Sequence, residues 1–245
     1  MINKTRFWEI DALRGIAIMM MIIFHTLFAI EFFSNNTHTG NSTFWIIFAR
    51  ITAIIFILVA GISIHLSYSR TEMIRGRDTW KKYLIRGLKI ISWGAAVSIV
   101  TFLYLKEGAV LFGILHFIGI SVILIYPFIR MKESLLLTFS AIAIIIGILL
   151  QSITATTTWM VWLGIRPTTF YTLDYFPLLP WFGVILIGLV IGKKLYPDHK
   201  RAKLGSIRIS NKMPYLCQIL TTLGRHSLLI YLIHIPIIIL ITGTF

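Results

Sequence analysis

The stretch DALRGIAIMMMIIFH, Asp11 to His25, sets one acid, one guanidinium and one imidazole in an otherwise apolar run. At about 100° per residue, Asp11, Arg14, Ile18, Ile22 and His25 share one stripe of a helix. Arg14 and His25 are eleven positions apart, about 16 Å along the axis at 1.5 Å per residue. Asp11, three positions before Arg14, is placed to pair with it. In lipid an ionisable side chain is costly and usually faces a bundle interior or water. The pattern therefore suits a polar path, with a cation at its mouth to hold an anionic donor and a base at depth to activate an acceptor. The plainer account is that Arg14 snorkels to anchor a helix end and His25 bonds to a neighbouring helix. It leaves the shared stripe unexplained.

Other polar residues at membrane depth fit the same path. His116, in FGILHFIGIS, is a second catalytic candidate. Gly113 and Gly119 beside it equally serve close helix packing. Arg50, in IIFARITAIIF, is either an interfacial anchor or a clamp on substrate. Asp174 precedes YFPLLPW, where Pro177 and Pro180 mark a helix start. It either caps that helix or binds a polar acceptor from outside. Tyr231 and His234, three apart in LGRHSLLIYLIHIPI, either bind substrate or pack within the bundle. His65 and Ser67 are expected at an interface. No cluster has metal-ligand spacing and no Walker or Rossmann glycine loop is present, so no metal, nucleotide hydrolysis or hydride transfer is expected.

These residues need helices to hold them, and the composition says in what solvent. Of 245 residues, 57% are hydrophobic and 13% charged, with a mean hydropathy of +0.86. Soluble domains run at about 45–50% apolar and about 25% charged. A soluble fold has no place for so much apolar surface, so the bilayer is its solvent. An all-α polytopic bundle of about seven spans is expected, near 10–33, 44–68, 84–104, 110–129, 134–150, 178–194 and 218–244. The runs are continuously apolar, without the period-2 alternation of a membrane barrel. The first is too long for a signal peptide and has no cleavage site. With no repeat and no long linker, 1–245 reads as one domain. The lone Cys217 allows no internal disulfide.

The formal net charge of +14 would suggest nucleic acid in a soluble protein. Here its distribution speaks for topology. INKTR, RTEMIRGRDTWKKYLIRGLK, RMK and KKLYPDHKRAKLGSIRISNK fall in one set of connections, and the alternate set holds only Lys106 and Arg166. Basic loops stay cytoplasmic, which puts the amino terminus inside and the carboxyl terminus outside. The same cations suit anionic lipid headgroups. The segment TTTWMVWLGIRPTTFYTLDYFPLLPW then lies outside, with Trp159 and Trp162 as interfacial anchors. Asn35 and Asn41 open Asn-x-Ser/Thr sites.

The blocks EIDALRGIAI, FILVAGISIHLSYSR, FGILHFIGIS, DYFPLLPWFGVILIGLVIG and LGRHSLLIYLIHIPI together resemble the prokaryotic branch of the heparan-α-glucosaminide N-acetyltransferase catalytic-domain family. The likeness runs nearly end to end. The Arg14–His25 spacing is also similar to the arginine–histidine motif of the broader membrane acyltransferase superfamily, and YLIHIP to its terminal helix. The resemblance implies acyl transfer across a prokaryotic cell membrane. The donor would be acetyl-CoA or another acyl-CoA on the cytoplasmic side. The acceptor would be an amino or hydroxyl group, of a glycan or amino sugar, reached from outside. His25 becomes the catalytic base and Arg14 a donor-side residue. Lysosomal members arrange their proposed catalytic residues differently around the first span and its following loop. In that loop His38 is an alternative base, although a solvated loop histidine is the plainer reading.

On this reading Arg14 and the loop cations Arg70, Arg75 and Arg86 hold the donor's phosphates, with Asp11 beside Arg14 as a further donor-side residue. His25 takes the acceptor's proton, and His116 or Arg50 stabilises the oxyanion. Asp174, Arg50, His38, Tyr231 and His234 are the acceptor-side candidates. Direct transfer and a route through an acyl-histidine both remain open. The competing class is a small transporter or channel conducting along the same stripe, although no inverted repeat supports it. A lipid-binding or structural subunit is a third class, and a homo-oligomer is compatible with any of them.

Overall fold

The computed structural model describes residues 6–34, 43–75, 80–105, 108–202 and 215–242. They form eight α-helices: α1 Trp8–Ser34, α2 Thr43–Arg75, α3 Trp80–Leu105, α4 Ile114–Leu124, α5 Glu133–Leu150, α6 Leu178–Leu195, α7 Tyr215–Arg225 and α8 Ser227–Thr242. The protein is an all-α membrane bundle. Among the described residues α1, α2, α3, α5 and α6 are long and apolar enough to cross a bilayer. Two expected spans take other forms. The run 110–129 narrows to the eleven residues of α4 followed by a 3₁₀ turn at Tyr126–Phe128, because Pro127 cannot continue the α-helical ladder. The run 218–244 breaks at His226 into α7 and α8, just after Gly224, a poor helix former.

The chain divides into two compact units, Met1–Val59 with Gly205–Phe245, and Ala60–Leu204. The first contains α1, the amino-terminal part of α2, α7 and α8. The second contains the rest of α2 and α3 to α6. His38, Asn35 and Asn41 lie outside the described residues, as does the side chain of Arg75.

In the first unit α1 packs against α7 and α8. Its two faces separate by chemistry. Asp11, Ala17 and Ile18 are buried, whereas Leu13, Ile16, Met19, Ile23 and Ile30 are exposed and meet lipid. Glycines set the distance to α7. A Cβ at Gly15 would sit 2.0 Å from the Leu220 carbonyl oxygen, and one at Gly224 would sit 1.8 Å from the Asp11 carbonyl oxygen. Without a hydrophobic drive between helices in lipid, such small residues let backbones touch and dispersion act.

The second unit repeats this device. Gly87 of α3 faces Gly119 of α4, and Gly183 of α6 faces the Ser140 backbone of α5. There the buried Ser140 hydroxyl donates to the Gly183 carbonyl at 2.8 Å. Gly61 of α2 meets the backbone of α6 at Ile185 and Gly188. His65 is buried at 7% exposure, its Nε2 3.1 Å from the Tyr196 carbonyl. The missing side chain of Gly192 makes room for its ring.

The α1/α7 crossing yields a stability prediction. Gly224→Ala forces a Cβ into backbone that has no rotamer to give way. It is expected to cost about 1–3 kcal/mol, the range for overpacking, read as a lower unfolding midpoint in detergent. Leu13→Ala on the lipid-facing side should leave that midpoint nearly unchanged.

Candidate functional site

The first unit gathers Asp11, Arg14, His25, Tyr231 and His234 into two groups along α1. The first group surrounds the Asp11 carboxylate, whose side chain is only 5% exposed. Arg6 Nε lies 2.6 Å from Oδ2, Arg14 Nη1 3.1 Å from Oδ1, and Arg225 Nε 3.6 Å from Oδ2. The expected Asp11–Arg14 pair is present, enlarged by two guanidiniums the sequence reading passed over. Arg6 comes from the segment leading into α1 and Arg225 from the last turn of α7. Arg14 Nη1 also donates to the Gly224 carbonyl at 3.4 Å, so the helix crossing and the charge cluster are one construction.

A buried carboxylate persists only when paired and hydrogen-bonded. Asp11 accepts hydrogen bonds from Arg6 and Arg14 and lies within ion-pair distance of Arg225, which offsets the mutual repulsion of the guanidiniums. Arg6 and Arg225 keep 58% and 44% of their side-chain surface exposed. Each guanidinium has five N–H donors in a planar fork suited to phosphate oxygens. The donor set therefore fits a phosphorylated ligand at this end of α1.

The second group is a pair of imidazoles. His25 of α1 and His234 of α8 lie in edge contact, ring centroids 4.8 Å apart at an interplanar angle of 67°. His25 Nδ1 is 2.9 Å from the Met21 carbonyl and His234 Nδ1 2.6 Å from the Tyr231 carbonyl. A carbonyl only accepts, so each Nδ1 carries a hydrogen and donates it to its own helix. In a neutral imidazole that leaves Nε2 with a bare lone pair. His25 Nε2 is thus in the tautomer a general base requires. His234 is 6% exposed, and its Nε2 is buried with no hydrogen-bond partner. A polar atom left so costs about 1–3 kcal/mol. The Tyr231 ring lies 5.5 Å from that of His234.

The remaining candidates fall elsewhere. Arg50 is in the first unit and exposed. Arg70 and Arg86 belong to the second unit and are also exposed. His116, on α4, stacks on Phe112 at 5.8 Å. Its Nδ1 has no partner, and Gly94 of α3 leaves the space its ring occupies. Asp174 does cap a helix, but α4 instead of the α6 that follows it. Its Oδ2 accepts the Ile114 backbone N–H at 3.0 Å. A Cβ on Gly113 would sit 2.2 Å from that oxygen, so the glycine admits the carboxylate. Backbone pairing fixes this loop, with Leu173 N–H donating to Gly108 and Phe176 N–H to Phe112, each at 3.0 Å. Next to it Tyr175 donates to the Val161 carbonyl at 2.8 Å. Burial raises its phenol pKa, a shift the nearby Arg166 opposes.

The first unit thus holds a cluster of guanidiniums near one end of α1 and a pair of imidazoles further along it. The family described as heparan-alpha-glucosaminide N-acetyltransferase, catalytic, matches residues 6–236, and the chain belongs to it. It is thereby an acyltransferase, of a family whose activity is transmembrane acetyl transfer. No curated protein and no solved structure matches the chain.

Removing the charge at the centre of the cluster tests its structural part. Asp11→Asn leaves three guanidiniums without their counter-ion. We expect a loss of about 1–3 kcal/mol, seen as a lower unfolding midpoint in detergent. Added inorganic phosphate should restore part of it, by binding the freed cations.

Proposed function

We propose that the protein transfers an acetyl group from acetyl-CoA to an amino or hydroxyl group of a sugar on the opposite side of the membrane. One observation carries this reading. Helix α1 bears Arg14 near one end, where Arg6 and Arg225 join it around Asp11, and on the same face His25, whose Nε2 keeps its lone pair, about 16 Å further along by helix rise. That spacing suits a donor whose charged phosphates and reactive thioester lie at opposite ends of a long flexible arm.

The amino terminus is taken as cytoplasmic and the carboxyl terminus as external, from the distribution of Lys and Arg. Arg14, Arg6 and Arg225 bind the donor's phosphates from the cytoplasmic side. His25 Nε2 removes the proton from the acceptor as its nitrogen or oxygen attacks the thioester carbonyl. The proton then passes to the departing thiolate. Rigid anchoring of the ring to Met21 supplies orientation before the substrate arrives. The setting is an integral membrane protein of a prokaryotic cell membrane, in contact with lipid.

Two variants test the assignment in purified protein with acetyl-CoA as donor and glucosamine as acceptor. His25→Ala is expected to lower turnover by about 10²–10⁴-fold, the usual worth of a general base, while still binding coenzyme A in calorimetry. Arg14→Ala should instead weaken coenzyme A binding. Undiminished turnover by His25→Ala removes it as the base. Movement of a solute into proteoliposomes without acyl donor would favour a transporter.

A further inference from the structure

We infer that His234 is a second substrate-contacting residue: its Nε2 accepts a hydrogen bond from the attacking group of the acceptor and positions it for His25. The inference rests on the acyl-transfer reading above. Three observations carry it. The two rings are in edge contact, with centroids 4.8 Å apart. Each ring spends its Nδ1 hydrogen on its own helix, at Met21 and at Tyr231. His234 Nε2 is buried and unpartnered, at 6% residue exposure. A histidine retained only for packing needs one ring nitrogen bonded and the other either wet or paired. His234 has neither for Nε2; His65 and His116 also carry a buried ring nitrogen without a partner, and what sets His234 apart is its ring contact with His25.

The step balances with an amino acceptor. The nitrogen lone pair forms the new N–C bond to the thioester carbonyl, and the C–S bond breaks. One N–H proton goes to His25 Nε2 and from there to the departing sulfur. The other N–H stays on nitrogen in the product amide, and it is the hydrogen donated to His234. His234 exchanges no proton. It fixes the direction from which the nitrogen approaches, so its loss should fall on acceptor use more than on donor use.

The experiment compares His234→Gln with His234→Leu, using acetyl-CoA as donor and glucosamine as acceptor. Both variants lose the Nδ1–H bond to Tyr231, so any structural cost of that bond is common to them. Only Gln offers a side-chain oxygen near the place of Nε2. His234→Leu should raise the glucosamine KM about tenfold, the worth of one lost hydrogen bond, and leave the acetyl-CoA KM within about twofold. His234→Gln should recover most of the loss. Should His234→Leu fail to fold, His234→Met takes its place as the apolar variant of similar length. An unchanged glucosamine KM in the apolar variant, or equal losses in Gln and Leu, overturns the assignment while leaving acyl transfer intact. A wild-type protein that releases no coenzyme A from acetyl-CoA with any amino or hydroxyl acceptor overturns both.

Discussion

A carboxylate withdrawn from water has to be answered by cations, and Asp11 is where that demand shapes the first unit. Its side chain is nearly inaccessible, and three guanidiniums from separate stretches of chain converge on it. The backbone of the same residue is what Gly224 approaches so closely that a methyl group would not fit. Helix packing and charge pairing therefore meet at one residue. Close approach carries the end of α7 to α1, and the carboxylate then holds Arg225 there beside Arg6 and Arg14. Without the glycines Arg225 would stand too far off. Without the carboxylate three like charges would push the segment ends apart, more strongly at the edge of a low-dielectric medium than in water.

The imidazole pair shows the same economy of partners. Each ring is tied to the carbonyl of the preceding turn, Met21 for His25 and Tyr231 for His234. This bond fixes both ring orientation and tautomer with no side chain from another element. It also leaves the basic edge of each ring unspent. Preorganised groups of this kind cost no rearrangement at the moment of reaction.

Much of the first unit was legible in the sequence, because lipid imposes a strict code on what faces it. The stripe of Asp11, Arg14 and His25 follows from helix geometry, and the Asp11–Arg14 pair from its three-residue spacing. The pairing of His25 with His234 was not legible. Tyr231 and His234 could be placed on one helix face, but the partner of that face depends on which helices meet, and apolar runs all look alike in this respect. Arg6 and Arg225 were missed for a related reason. Arg6 lies among loop cations whose abundance is explained by topology alone, and Arg225 lies within the expected last span; nothing local marks either as a cation that folds back on Asp11. Asp174 was expected either to cap the helix that follows it or to bind a polar acceptor. It caps α4 because an extended segment brings it alongside Phe112 and Gly113, a tertiary event with no trace in spacing. The break of the final run at His226 was not legible, because a glycine such as Gly224 in lipid signals close packing as readily as a break.

The rotation of α1 ties these features together. A slip by one residue would turn the helix by about 100°, carrying Asp11, Arg14 and His25 together toward the side where Leu13, Ile16 and Met19 now meet lipid. Apolar side chains offer little resistance to such a turn, since lipid tails are as apolar as leucine. Two features do resist it. Gly15 and Gly224 allow their close approach at one rotational setting only, because any other residue brought to the crossing carries a Cβ. The Asp11 ion pairs would be broken by the same turn, leaving a charge facing hydrocarbon. The glycines and the carboxylate act near the amino-terminal end of α1, but a helix is stiff over the distance to His25. The register that holds three guanidiniums at one end is therefore also what keeps the basic edge of an imidazole turned inward at the other.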